Sequence, residues 1–301
     1  MEGKDQELIL GTAQFGLNYG ITNLGGKVTN KDISSILEFA ATNGVRTIDT
    51  AAAYGDSEIQ LGFCGAANRF RIITKIPPLG QIQIVSSRAL KIQELVKESL
   101  RRLKSESLFL IMFHDPLDFS RSDIHEILRD IIELKECGLV SHVGVSIYSE
   151  DDWNRITDIF VPDIVQAPVS IFDQRLLQSG ALQIMYDSGV VVHARSVFLQ
   201  GLAISNLNLP PYFESYQRVL CEWHQEVKKN KLSPLAAALG FIRSTGYIKG
   251  VVVGVTSVAE LSEIVLAWKY AETGNLDHGL GDFSRFASSE VGLLDPRLWI
   301  K

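Results

Sequence analysis

Asp49, Tyr54, Lys75 and His114 are four residues of different chemistry placed at or just beyond the ends of three successive apolar runs, Val45–Asp49, Arg71–Lys75 and Leu108–Phe113. A free tyrosine has a pKa near ~10, so it is a weak acid and its phenolate is scarce at neutral pH. An ammonium beside it would favour the phenolate, and a carboxylate paired to that ammonium would keep it charged and oriented. A nearby imidazole would hydrogen-bond a carbonyl or alcohol oxygen. A donor aimed at an oxygen that gains negative charge is what carbonyl reduction needs. The expectation is proton transfer through Tyr54, its pKa lowered by Lys75, with Asp49 holding the lysine and His114 orienting the oxygen. Singly, each residue has a plainer reading: a structural ion pair for Asp49 and Lys75, packing for Tyr54, a turn cap for His114 before Asp115-Pro116. With Lys75 between Asp49 and His114, the charges favour a proton network, and no metal is expected.

Such convergence requires elements that bring distant segments together. Strands are expected at Leu8–Gly11, Val45–Asp49, Arg71–Lys75, Leu108–Phe113, His142–Val145, Ile164–Gln166, Val190–Ala194 and Val251–Val253. Helical spacing occupies Lys31–Thr42, Ser57–Ala66, Ala89–Lys104, Asp123–Glu136, Glu150–Ile159, Leu177–Asp187, Phe213–Lys229, Pro234–Ser244 and Val258–Ala271. The strand runs are nearly continuous in apolar character, as in parallel strands covered on both faces, and strand–helix alternation implies crossovers. Eight such units predict an α/β fold, a (β/α)8 TIM barrel, in which reacting groups belong at the carboxyl ends of strands. An open dinucleotide-binding sheet would carry GxGxxG after its first strand, and this chain has Gly11-Thr-Ala-Gln-Phe-Gly16. Asn43-Gly44, Cys137-Gly138 and Ser188-Gly189 supply glycine where a helix closes before a strand. A single domain over residues 1–301 is expected, with 272–301 a C-terminal loop over the barrel mouth, where Trp299 and Phe283 would shape the substrate pocket.

The 301 residues are 46% hydrophobic and 21% charged, which excludes a disordered or low-complexity chain. The net charge of −6 argues against nucleic-acid binding. Cys64, Cys137 and Cys221 are too far apart for a CxxC motif and fit a reducing compartment. The start Met-Glu-Gly-Lys-Asp-Gln-Glu shows no secretory signal, and no apolar run approaches the ~20 residues of a membrane helix. A cytoplasmic protein, monomeric or a small homo-oligomer, is expected. His193 reads as a satisfied barrel residue, His125 and His224 as solvent-facing, Cys64 as core, and Trp153, Trp223 and Trp268 as packing.

The segment Ile48-Asp-Thr-Ala-Ala-Ala-Tyr54-Gly-Asp-Ser-Glu58 resembles the signature loop of the aldo-keto reductase superfamily. Ile73-Thr-Lys75, Leu110-Ile-Met-Phe-His-Asp-Pro116, Val143-Gly-Val-Ser146 and Ile164-Val-Gln166 follow in that family's order. The resemblance covers roughly Leu8 to Ala271. It implies hydride transfer between NADPH or NADH and a carbonyl or alcohol, with Asp49, Tyr54, Lys75 and His114 the catalytic tetrad and Tyr54 the general acid and base. It also implies cofactor contacts from Ser146, Gln166, Arg195, Ser196, Gly201, Gly254, Thr256, Ser257 and Glu263. Two departures stand out. Ile147 replaces the asparagine that usually follows Ser146, and Arg195 sits where many members stack an aromatic ring on the nicotinamide. No basic residue lies between Gly250 and Lys269, and Glu260 falls near the usual arginine that pairs the NADP 2′-phosphate. Thr256 and Ser257 have the alternative reading of helix caps. The triplet His114-Asp115-Pro116 and the run Gly11–Gly20 resemble bacterial, sugar-dehydrogenase-like members, which implies a small-molecule carbonyl or sugar substrate. Two other functions stay open: a cofactor-binding regulatory subunit, and a Schiff-base aldolase through Lys75, which would need that lysine desolvated and free of a salt bridge.

Overall fold

The computed structural model describes residues 6–23, 25–81, 88–205, 209–273 and 282–299. Residues 1–5 of the start and 274–281 and 300–301 of the tail lie outside these. Eight strands, β1 (Glu7–Gly11), β2 (Thr47–Asp49), β3 (Arg71–Ile76), β4 (Leu108–Phe113), β5 (Val140–Ser146), β6 (Ile164–Pro168), β7 (Val191–Arg195) and β8 (Ile248–Gly254), pair in parallel and in sequence order, and β8 closes onto β1. The result is the (β/α)8 barrel in a single domain. The helices are α1 (Ala13–Gly16), α2 (Asn30–Thr42), α3 (Ser57–Phe63), α4 (Arg88–Leu103), α5 (Ile124–Glu136), α6 (Glu150–Thr157), α7 (Arg175–Gln178), α8 (Ala181–Asp187), α9 (Gln217–Lys229), α10 (Pro234–Ser244), α11 (Val258–Glu272) and α12 (Val291–Leu294).

Local chemistry sets these boundaries. Thr29 caps α2 by accepting from the Asp32 amide, and Ser149 and Asp152 form a capping box at α6. Gly44, Gly138 and Gly189 take φ of +88°, +74° and +79° between helix and strand, a conformation that L side chains resist. The helix expected over Leu177–Asp187 is interrupted: Gly180, at φ +83°, ends one turn and starts α8. Residues Pro211–Tyr216 wind as a 3₁₀ helix, so Phe213 precedes α9.

Between strands and helices lies the larger apolar core. A separate small cluster, Ile9, Ile73, Leu110, Met112 and Ile164, fills the barrel interior. Successive residues of a strand point to opposite faces, so counting upward by twos from these positions, and from Val191 and Val252 packed against them, gives the last inward residues of β1, β3, β4, β6, β7 and β8. The register with Gly11 and Gln166 adds those of β2 and β5. The set reads Gly11, Asp49, Lys75, His114, Ser146, Gln166, Arg195 and Gly254, with His114 one step past the end of β4. Among the described residues, no helix is long and apolar enough to cross a membrane.

The expected role of the tail aromatics is corrected. The Trp299 ring packs edge-on against Phe213 at 4.9 Å, with Nε1 donating to the Leu293 carbonyl at 3.2 Å. Phe283 packs on Phe241 at 5.4 Å. Both rings are spent anchoring the tail to the body, and Pro296 and Arg297 reach the cavity instead.

Candidate active site

All eight residues of the top inward layer line one cavity of about 560 Å³ at the carboxyl ends of the strands. Tyr54, Ser196, Gly201, Thr256 and Glu263 line it as well. Among the expected catalytic and cofactor-contacting residues, Ser257 alone is absent from the wall. Its Oγ accepts from the Glu260 amide at 3.2 Å and caps α11, so the plainer reading holds for that residue.

At one end of the cavity, Lys75 Nζ donates to both carboxylate oxygens of Asp49 at 2.6 and 2.7 Å and to the Thr50 carbonyl at 3.3 Å. Gln166 Nε2 donates to Asp49 Oδ2 at 2.8 Å. The lysine ammonium is 5.4 Å from the centre of the Tyr54 ring, and the His114 ring meets that ring edge-on at 5.8 Å. The strand-end rule therefore brings Asp49, Lys75 and His114 together, and the β2–α3 loop adds Tyr54. A buried hydroxyl network fixes this loop. Thr12 donates from its amide and Oγ1 to the Asp49 carbonyl, both at 3.0 Å, and Ser57 Oγ donates to the Thr12 carbonyl at 3.0 Å. Gly16 approaches the loop so closely that a Cβ there would collide with the Tyr54 carbonyl.

Electrostatics correct one expectation. The phenol of Tyr54 is pushed up, not down: burial is the main cause, the Asp49 charge adds to it, and Arg195 opposes both. Lys75 fails to lower it because the ammonium is neutralised by a carboxylate gripping it with two oxygens. Burial draws Lys75 itself down, against the pull of Asp49. Burial and the Lys75 charge also push His114 down to about 4, so its imidazole is neutral at physiological pH. Its Nδ1 is buried without a hydrogen-bond partner. The site thus offers a protonated phenol and a neutral imidazole facing a cavity, a donor set suited to a carbonyl oxygen.

At the other end, the chain passes from β8 through Gly254 and Thr256 into α11. The Glu260 carboxylate accepts from the Thr256 amide at 2.6 Å and from its hydroxyl at 2.9 Å. An anion from the protein itself therefore occupies donors that a phosphate would otherwise use. The α1–α2 and β7–α9 segments meet across the cavity: the Ile21 amide donates to Gln200 Oε1 at 3.0 Å and Thr22 Oγ1 to the Gln200 carbonyl at 3.1 Å. Gly201, at φ +102°, lies against Thr22 with no room for a Cβ. Arg195 reaches the Ser146 hydroxyl (3.3 Å), the Ser196 hydroxyl (3.3 Å) and the Ile147 carbonyl (2.9 Å), and lies 4.2 Å from the centre of the Tyr148 ring.

Sequence reasoning passed over Thr12, Tyr148 and Arg297 on the cavity wall. Thr12 directly follows β1 and Tyr148 lies two residues past β5, a strand-end signal that could have found them; Arg297 carries no local signal. Of the residues read as quiet, His193 is buried, but its Nδ1 has no partner and burial pushes it down to about 3, so it is not satisfied. His224 is half-buried, with Nε2 3.0 Å from the Leu202 carbonyl, rather than facing solvent. Cys64 is only partly buried, packed against the edge of the larger core and 3.4 Å from Ser34 Oγ.

Comparison with known proteins agrees with this fold. The family model described as "Aldo/keto reductase family" matches residues 7–273. D-arabinose 1-dehydrogenase of Saccharomyces cerevisiae is 29% identical over 144 residues, which is 42% of this chain and 43% of that protein, so the match spans less than half of either. An aldo-keto reductase from Bacillus halodurans, solved in a holo form, superposes with a TM-score of 0.73 at 20% identity over 94% of this chain and 92% of its own. The glycerol dehydrogenase of Gluconobacter oxydans does so with a TM-score of 0.69 at 20% identity over 96% and 92%. At such identities the structural matches speak to the fold.

Proposed function

The chain belongs to the aldo/keto reductase family, and on that premise we propose that it is a cytoplasmic, nicotinamide-dependent oxidoreductase. It interconverts the carbonyl of an aldehyde, ketone or aldose-type sugar with the corresponding alcohol, and NADH is the favoured cofactor. The observation that carries this reading is the convergence of Tyr54, His114 and the Asp49–Lys75 pair at one end of a cavity whose far end is the N-terminus of α11.

A reduced nicotinamide, when bound, supplies the hydride. Ser146 and Arg195 would flank it, Gly201 and Gly254 would allow its phosphates close to the backbone, and Glu260 and Glu263 would face its adenosine end. The fit rests on what lines the wall: a glycine-lined trough and a helix N-terminus whose own carboxylate accepts from Thr256. That carboxylate repels a 2′-phosphate and accepts hydrogen bonds from ribose hydroxyls, which favours NADH. The protein's own residues do the rest. His114 positions the substrate oxygen through a neutral imidazole, and Tyr54 gives its hydroxyl proton to that oxygen as negative charge builds there. Arg195 is the cation that eases the charge left on the phenol oxygen, while Asp49 holds Lys75 and Gln166 holds Asp49. The raised pKa keeps Tyr54 loaded for reduction. In the oxidation direction the same group must first lose its proton, so that rate climbs with pH while the reductive rate stays flat until strongly alkaline conditions.

Lys75 is desolvated, as an aldolase would need, yet its three N–H groups are committed to Asp49 and Thr50, which disfavours Schiff-base chemistry. The test is reduction of an aldehyde and aldose panel by wild type and Tyr54→Phe. Loss of roughly 10²–10⁴ in kcat for the variant, with NADH still bound, is expected of a general acid. Equal turnover, or cofactor binding by wild type without turnover on any carbonyl, overturns the reading. For the cofactor, Glu260→Arg is expected to reverse the NADH preference, measured as the ratio of the two dissociation constants.

A further inference from the structure

We propose that Arg195 and Arg297, gathered on the Tyr148 ring, form a subsite for an anionic group, a carboxylate or a phosphate, carried by the carbonyl substrate. The proposal rests on the oxidoreductase reading above and names the kind of substrate that reading leaves open.

Three distant segments meet here. Tyr148 follows β5, Arg195 ends β7, and Arg297 comes from the C-terminal tail; all three line the cavity that holds Tyr54 and His114. Both guanidinium carbons lie close to the one ring, Arg195 at 4.2 Å and Arg297 at 3.6 Å from its centre. A cation over an aromatic face is attracted to it, so the ring gathers two positive groups that would otherwise repel.

Among the described cations near the mouth, three are paired with a carboxylate, while Arg195 has no salt bridge and meets Asp295 only at longer range. Asp49 balances Lys75, Asp173 balances Arg175 at 2.8 Å, and Asp295 balances Arg297 at 2.6 Å. Arg195 is half-buried and reaches only neutral acceptors, two of them at 3.3 Å. A guanidinium carries five N–H donors and no acceptor, so donors remain on Arg195. Asp295 takes Nε and Nη2 of Arg297, leaving the Nη1 edge. Asp115 also acts on Arg297, at longer range. The two carboxylates of α11 on the cavity wall, Glu260 and Glu263, belong to the β8–α11 segment, and neither is hydrogen-bonded to Arg195 or Arg297. An acceptor-rich ligand group is therefore favoured on the β5, β7 and tail side. A planar fork of donors matches the two oxygens of a carboxylate or phosphate.

The experiment compares paired aldehydes with NADH: succinic semialdehyde against butyraldehyde for the carboxylate, and glyceraldehyde 3-phosphate against glyceraldehyde for the phosphate. Wild type is expected to prefer the charged member of at least one pair by tenfold or more in kcat/KM. The pair that shows the preference identifies the anion. Arg297 is exposed but partners the buried Asp295, so the thermal stability of Arg297→Gln is measured beside its rates, and Arg297→Lys serves as the charge-keeping control. Arg297→Gln should lower the preference roughly tenfold to a hundredfold, the scale of a hydrogen bond to a charged group, and mainly through KM. Arg297→Lys should recover part of it, keeping the charge but not the fork. No preference in wild type, or a preference that Arg297→Gln leaves intact, overturns the proposal. So does a rate loss matched by weaker NADH binding, which would assign the guanidinium to the cofactor phosphates. A separate readout is thermal stabilisation by succinate or by inorganic phosphate without cofactor, expected for wild type and reduced in Arg297→Gln. If no aldehyde is turned over at all, the oxidoreductase reading fails, while this binding measurement still decides the subsite.

Discussion

Two buried histidines show how differently the same side chain is used at the top and in the interior of this barrel. His114 and His193 both leave Nδ1 without a partner, and burial holds both imidazoles neutral, with pKa values of about 4 and 3. His193 is one inward step below Arg195, its ring tight against Gly250, and the positive charges of Arg71 and Lys75 both push it down. His114 stands on the cavity wall beside Tyr54. An unpaired nitrogen costs ~1–3 kcal/mol wherever it is buried. Both Nδ1 atoms are enclosed and keep that cost; the difference is that the His114 ring lines the cavity and can meet a ligand, whereas the His193 ring does not. Access, rather than chemistry or pKa, separates the two. The same contrast runs through the charges: the Asp49–Lys75 pair is sealed and mutually satisfied, whereas Arg195 at the rim still has donors to offer.

The largest effect that would sharpen this contrast is expected from Lys75→Met. It strands the Asp49 carboxylate in a site from which water is excluded, and breaking such a pair costs about 3–5 kcal/mol. Urea denaturation should show that loss alongside a fall in activity. The double variant Asp49→Asn with Lys75→Met should regain stability without activity. If Lys75→Met is as stable as wild type, the pair is not the closed unit that its distances describe.

Next in size is the histidine pair itself. His114→Gln is expected to lower kcat/KM by roughly 10²-fold, within the range for a positioned group acting on the reacting oxygen. His193→Leu should leave turnover within about twofold and stability equal or up to ~1–3 kcal/mol higher, since the orphaned nitrogen is gone. Equal activity loss in both variants would erase the distinction between rim and interior.

The smallest effect is on acid stability. Both histidines have folded pKa values below the ~6.5 of an unfolded chain. Between these values the unfolded chain binds a proton that the folded chain does not, so stability rises with pH in that window. It is complete above about pH 6.5 and is lost on acidification towards 4 and 3, at ~1.4 kcal/mol per pH unit for each histidine. His193→Leu should flatten the slope of unfolding free energy against pH by one histidine's share.

Much of the site was legible in sequence because a strand end is a one-dimensional feature. Asp49, Lys75 and His114 could be found by asking which titratable residues close an apolar run, and the parallel register then carries them to one rim. Period-two counting would have extended the set to Gly11 and Thr12's neighbourhood and shown why His193 belongs to a lower layer. The direction of the Tyr54 shift was not legible. It depends on how Asp49 and Lys75 share one buried space, and sequence spacing gives proximity without the balance of desolvation against charge. Nor was the role of the tail: Trp299 and Phe283 look like pocket residues in a polar stretch, yet aromatic rings are worth more buried against Phe213 and Phe241.

By itself, then, the order of apolar runs, helix caps and turn glycines determined the barrel, because hydrophobic periodicity and backbone conformation are local properties with parallel closure as their common outcome. Only the tertiary structure decided which cation was left with unspent donors. That depends on partners 49 and about 100 residues away in the chain, Ser146 beside Arg195 and Arg297 across Tyr148, and the electrostatic energy of a buried charge is set by what surrounds it in space.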